Sequence, residues 1–129
     1  MPPLITGLYA ALLGLLLLGL SWQVTRHRQR ARVSLGAGGD EALERAIRAH
    51  ANLAEYAPLG VLLIALAEMN GAPPWWIHVT GAVLVVARCL HAWGLGGTSG
   101  VSTGRLWGTA LTWLAILLAS LTNLWLALS

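Results

Sequence analysis

The chain has 129 residues, 57% of them hydrophobic and 10% charged, with a net charge of +3. A soluble domain of this size carries about 25% charged residues, so most of this surface cannot face water. All eight basic residues are arginines, scattered along the chain, and scattered cations make a poor duplex-binding face, so no nucleic acid partner is expected.

Four segments approach the roughly 20 apolar residues that a helix needs to cross a bilayer: Leu4 to Val24, Glu41 to Ala67, Trp75 to Trp93 and Leu106 to Leu128. They take up most of the chain, which predicts one domain over 1–129. The expected fold is all-α, an integral membrane four-helix bundle of up-down topology. The first segment lacks a cationic region before its apolar run, its arginines follow instead, and it is longer than a signal peptide's core; it reads as a retained helix. Gly7, Gly14 and Gly19 permit close helix contact there, and Trp22 suits an interface.

The linker "RHRQRARVSLGAGGD" is basic, then flexible. Asp40 is placed to cap the second helix, with Glu41 and Glu44 in a first turn whose dipole favours acids. That helix contains "ERAIRAHANLAEYAPL", Glu44 to Leu59, an unusual density of polar groups for lipid. At 100° per residue, Glu41, Glu44, Arg45, Arg48, Asn52, Glu55 and Tyr56 fall within an arc of about 120°, and His50 points nearly the opposite way. Two readings fit the stripe. Arg45 and Arg48 can pair with Glu41, Glu44 or Glu55 at helical spacing and knit the bundle to itself. Alternatively, the stripe receives a small anionic ligand. Pro58 removes a backbone bond mid-helix and suits either a shaped cavity or a packing kink.

The connection "EMNGAPP" is short, and Trp75 and Trp76 follow at the opposite interface. Cys89, the single cysteine, rules out an internal disulfide and is expected to be a buried, inert thiol. The third connection, "GLGGTSGVSTG", has eleven residues, five of them glycine; it suits a lid over a site at that end as well as a plain linker.

Arg26, Arg28, Arg30 and Arg32 follow helix one, Arg45 and Arg48 open helix two, Arg88 ends helix three and Arg105 opens helix four. The positive-inside rule then puts both termini outside and the first and third connections in the cytoplasm. Arg28, Arg48, Arg88 and Arg105 gather near one level on four helices, where guanidiniums repel one another unless anions balance them. Arginine suits bidentate carboxylate recognition, Glu55 an ammonium, and Asn52 an amide or carboxylate. A peptide-like ligand with carboxylates and one amine fits.

The string "ERAIRAHANLAEYAPL" resembles the signature of the MAPEG family (membrane-associated proteins in eicosanoid and glutathione metabolism), approximately E-R-x-x-R-A-x-x-N-x-x-E-x-x-P. Every fixed position matches. Length, helix count and arginine placement agree, as for a bacterial-type member resembling the microsomal glutathione transferases. The resemblance implies a homotrimer with glutathione between neighbouring subunits near the cytoplasmic side, in a bacterial cytoplasmic (inner) membrane. Carried over by position, Arg48, Asn52, Glu55 and Tyr56 contact the tripeptide. His50 stands where some members have a glutamine ligand, and its facing is compatible with the adjacent subunit's site. "SWQVTRHRQRARVS" makes Arg28 the matching arginine of helix one, with Arg26 weaker. "ARCLHAWGL" supplies Arg88 and His91, although His91 stands where a tyrosine is common and Leu95 replaces a second.

Arg105 is the residue assigned to catalysis. A guanidinium beside sulfur favours thiolate over a thiol whose ordinary pKa is about 8.5, and thiolate is the nucleophile. The expected activity is glutathione transferase or peroxidase chemistry on a lipophilic electrophile or hydroperoxide entering from the membrane, with glutathione as cofactor and no metal. The alternative of another class is a non-catalytic lipid-binding scaffold of the same fold. A channel or transporter needs polar faces on several helices, and helices one and four are almost wholly apolar.

Overall fold

The computed structural model describes residues 1–97 and 102–129. Four helices follow one another, α1 (Leu4–Ala31), α2 (Glu41–Met69), α3 (Pro74–Gly97) and α4 (Thr103–Leu128). Each is long and apolar enough to cross a membrane, and the chain is an all-α membrane bundle. The helix starts are set locally. Asp40 accepts a hydrogen bond from the Leu43 amide at 2.8 Å, and Ser102 accepts one from the Arg105 amide at 3.2 Å, each satisfying an amide that the first turn leaves without a partner.

The helices alternate in direction. The start of α1 meets the end of α2 where Thr6 bonds Glu68, and the start of α3 meets the end of α4 where Trp76 bonds Thr122. α2 and α3 form the central pair. α1 packs against both on one side and α4 against both on the other, and the two outer helices do not touch among the described residues. The burial patterns follow from this. α1 buries Thr6, Leu13 and Leu20, a stripe at heptad spacing. α4 buries Gly104, Gly108, Thr112, Ala115 and Ala119, all small, so its backbone lies close to its neighbours. The rest of α1 and α4 presents exposed leucines and tryptophans, Leu12, Leu15, Leu18, Trp113, Leu117 and Trp125 among them. Water-soluble monomers rarely expose so much apolar surface; lipid or further protein covers it here.

Five sequence expectations change. α1 runs on past Val24 to Ala31, so Arg26, Arg28 and Arg30 of the expected linker are helical. α3 extends past Trp93 to Gly97, and α4 starts at Thr103, so most of the glycine-rich connection is helical. In lipid an unpaired backbone is costlier than glycine's poor helix propensity. The lid expectation now falls on residues 98–101, outside the described residues. Arg88 consequently lies about 13 Å before the end of α3 at 1.5 Å per residue, rather than ending it. Glu68, read as part of a connection, belongs to the last turn of α2 and is buried. Cys89 is exposed rather than buried, because it lies on the outer face of α3 next to buried Arg88.

Candidate functional site

The polar stripe of α2 opens onto a cavity of about 310 Å³ at the end of the bundle that carries the arginines. Its α2 wall is Glu41, Glu44, Arg45, Arg48 and Asn52; α3 adds His91 and Leu95, and α4 adds Arg105. The volume lies at the lower end of the roughly 300–1,000 Å³ typical of small-molecule sites. Three arginines and two glutamates line it, so the lining charge is net positive by one, with His91 taken as neutral. The amino-terminal ends of α2 and α4 add the positive ends of two helix dipoles. Arg45 is placed 3.9 Å from Glu41, while Glu44 and Arg48 are exposed.

Glycine makes this convergence possible. A Cβ on Gly104 would stand 2.8 Å from the Leu90 carbonyl oxygen, and one on Gly108 would stand 2.6 Å from the His91 amide nitrogen. Only bare backbone lets α4 approach α3 so closely, and that approach brings Arg105 to the cavity that His91 also lines. Ser102 ties the same corner by donating to the Gly94 carbonyl at 3.3 Å.

Behind the cavity lies Arg88, 2% exposed. Its Nε donates to Thr112 Oγ1 at 3.0 Å, and its Nη1 donates to the carbonyl oxygen of Asn52 at 3.4 Å and to Asn52 Oδ1. The guanidinium carbon stands 5.5 Å from the centre of the Tyr56 ring, a cation–π arrangement. Its Nη2 is buried with no hydrogen-bond partner among the described residues. Thr112 completes the relay by donating to the Gly108 carbonyl at 2.7 Å. The arginine that sequence places at an interface is thus a buried post that orients Asn52.

The remaining predicted residues lie elsewhere. Glu55 and Tyr56 continue the stripe into a separate, mainly apolar groove of about 440 Å³, with Leu59 of α2 and Trp113, Ile116, Leu117 and Ser120 of α4. Trp113 Nε1 donates to the Tyr56 hydroxyl at 3.4 Å. His50 is half-buried and lines neither space. Arg28 folds over its own linker, its Nη1 donating to the Gly36 carbonyl at 2.7 Å. The structure therefore brings Arg48, Asn52, His91 and Arg105 together, sets Arg88 behind them, and leaves Arg28, His50, Glu55 and Tyr56 outside the cavity of a single chain.

Sequence reasoning passed over Thr112 and Glu68. Thr112 is fully buried in a helix read as almost wholly apolar; a hydroxyl about two turns beyond Arg105 was its only signal. Glu68 Oε1 accepts from the Ile5 amide at 2.9 Å, and Oε2 accepts from the Thr6 amide at 2.7 Å and the Thr6 hydroxyl at 2.6 Å. The signal was an acid near a helix end, opposite an α1 start that has Pro3 and no side-chain cap of its own.

Comparison with known proteins agrees with this architecture. The family model described as the MAPEG family matches residues 6–125. The chain is 41% identical over 122 residues to the inner membrane protein YecN of Escherichia coli K12, covering 95% of this chain and 92% of that protein. The same protein from Escherichia coli O6:H1 (strain CFT073) is similar to the same extent.

Proposed function

The chain belongs to the MAPEG family, and from that premise we propose that it is a membrane-bound glutathione transferase or peroxidase acting on lipophilic electrophiles or hydroperoxides. The observation that carries this reading is the cavity itself: Arg48, Asn52, His91 and Arg105, from three helices, converge on one net-positive space beside two helix amino termini. Glutathione offers two carboxylates, an amine and two amides to such a lining. Arg48 suits a carboxylate, since a guanidinium binds it in bidentate fashion. Glu44 suits the amine. Arg105 stands where the thiol is activated; its positive charge favours loss of the thiol proton to water. The thiolate then forms a carbon–sulfur bond as the electrophile's leaving group departs with its electron pair. With a hydroperoxide, sulfur attacks the terminal oxygen and the O–O bond breaks to release an alcohol. A second glutathione converts the sulfenic product to disulfide and water.

In the proposed assembly the protein is a homotrimer in an inner membrane, the membrane in which the similar YecN is named. Exposed Glu55 supports this, because an ionised side chain facing lipid at mid-helix costs about 2.5–3.5 kcal/mol, and a neighbouring copy would cover it. A subunit boundary there would also bring Glu55 and Tyr56 to a ligand that one chain alone keeps from them. The arginine-rich end faces the cytoplasm in this reading, with both termini outside.

A non-catalytic, lipid-binding scaffold is the second reading. It is favoured by two of the expected ligand groups being engaged within the chain, Arg28 by linker carbonyls and Asn52 by Arg88. One experiment separates them. In purified protein, glutathione should produce an ultraviolet thiolate band, and Arg105→Ala should remove the band and lower turnover about 100-fold, the size of losing one preorganised electrostatic group, with affinity largely kept. Turnover that survives Arg105→Ala overturns the catalytic assignment. A protein with neither band nor turnover is the scaffold.

A further inference from the structure

A second feature adjoins α1 at the same end of the bundle, and its α1 residues are not used by the proposed reaction. The buried stripe of α1 follows heptad spacing through Thr6, Tyr9, Leu13, Leu16 and Leu20. Its two outermost positions, Gln23 and His27, continue the same register. The stripe packs as far as Leu20 and then opens. Gln23 is exposed and His27 only half-buried, and no hydrogen bond among the described residues uses either side chain. They border a cleft of about 130 Å³ whose far wall is Arg45, Ala46, Ala49 and Ala92. Gln23 and Ala92 also border a larger, mainly apolar groove of about 800 Å³ that runs along Leu16 and Leu20 on α1 and Trp93 on α3.

The two spaces therefore form one amphipathic trench. Its long part is apolar and lies along membrane-spanning helices, and its mouth holds an amide, an imidazole and a guanidinium. The surrounding charge is one-sided. Arg26, Arg30 and Arg32 are exposed on the same end of α1, and no acid occurs between the start of the chain and Asp40. Glu41 stands 3.9 Å from Arg45. Clustered arginines at a membrane surface attract anionic lipid, and an apolar trench below the cluster adds a place for its chain.

We propose that this trench holds one anionic phospholipid, its phosphate at Gln23, His27 and Arg45 and an acyl chain along Leu16, Leu20 and Trp93. The amide and imidazole N–H groups donate to phosphate oxygens, and Arg45 contributes charge. The site shares Arg45 with the cavity lined by Arg48 and Arg105, but Gln23, His27 and the apolar groove take no part in the reaction proposed there.

The test reads Trp93 directly. The full chain is reconstituted in phosphatidylcholine vesicles that contain, at equal mole fraction, mid-chain brominated phosphatidylglycerol or brominated phosphatidylcholine. The quenching that disappears in Trp93→Leu is the Trp93 signal. We expect the brominated phosphatidylglycerol to be preferred at this tryptophan about fivefold, the effect of one well-placed basic group at a membrane surface. That preference should vanish in the triple variant Gln23→Leu, His27→Ala, Arg45→Gln and persist in Arg30→Gln, Arg32→Gln. Equal quenching by the two lipids overturns the site. So does a preference lost only with Arg30 and Arg32, which marks a diffuse charged belt. Absence of quenching by either lipid shows that protein covers the trench, and also overturns it.

Discussion

The two ends of the bundle solve the same problem in opposite ways. At the end where α1 begins, polar groups of different helices are matched to one another. Glu68 takes three hydrogen bonds from Ile5 and Thr6, Tyr9 shares one of 2.9 Å with His78, Trp76 donates to Thr122 at 2.8 Å, and Asn123 donates to the Leu63 carbonyl at 2.8 Å. At the other end, Arg48, Glu44, His91 and Arg105 surround open space. Buried polar groups in a membrane bundle are tolerated once each has its partners, and the first end shows that this sequence can achieve it. The contrast gives the open end its meaning: Glu44 and Arg48 are exposed there on a space of about 310 Å³. Arg88 lies between the two regimes, with two of its nitrogens engaged and Nη2 left over.

Substitutions at the two ends should then separate stability from binding. The largest stability loss is expected for Glu68→Ala, which deprives three donors of a charged acceptor; we expect about 3 kcal/mol, read as a lowered midpoint of unfolding in detergent, with glutathione affinity unchanged. If Glu68→Ala melts like the parent, the closed end is not what ties α1 to α2. Next comes Thr112→Val, which leaves Arg88 Nε buried without an acceptor at a cost of about 2 kcal/mol. Thr112→Ser should restore most of that loss, and equal damage from both would show that shape rather than the hydroxyl matters. Gly108→Ala should cost about 1–3 kcal/mol by forcing α4 off α3 and should also weaken turnover, since it displaces Arg105 relative to His91. The smallest stability change belongs to the open end: Arg48→Ala should shift unfolding by no more than about 0.5 kcal/mol. A large destabilisation by Arg48→Ala would make the cavity end another closed network and erase the contrast.

Much of this was legible in the sequence, for physical reasons. Bilayer thickness fixes helix length, so the four spans could be placed to within a few residues at most ends. The 3.6-residue period made the α2 stripe visible, and five of its seven residues do line one cavity. Asp40 announced its capping role because a cap acts on its own next turn. What escaped depends on distant partners. Glu68 bonds residues 62 and 63 positions away, and Thr112 is defined by an arginine 24 positions before it; periodicity within one helix carries no trace of either. The end of α3 was misplaced because Gly94, Gly96 and Gly97 signal a loop locally, while in lipid the backbone keeps its helical bonds. A helix ending at Trp93 would put Arg88 near its end, level with the other arginines; the full α3 keeps it buried inside the bundle. Arg28 and Glu55 show the same limit in reverse, since their residue types fit a ligand site and their surroundings in a single chain do not include the cavity.

The central claim is that the open end is held ready for a small zwitterionic thiol peptide. Calorimetric titration of glutathione into the purified wild-type protein and Arg48→Ala, followed in parallel by thiolate absorbance, tests it most directly. Saturable binding in the wild type, weakened about tenfold or more by loss of a charge-assisted bidentate contact in a variant that still unfolds like the parent, is the predicted result. No saturable heat and no thiolate band in folded wild-type protein would contradict it.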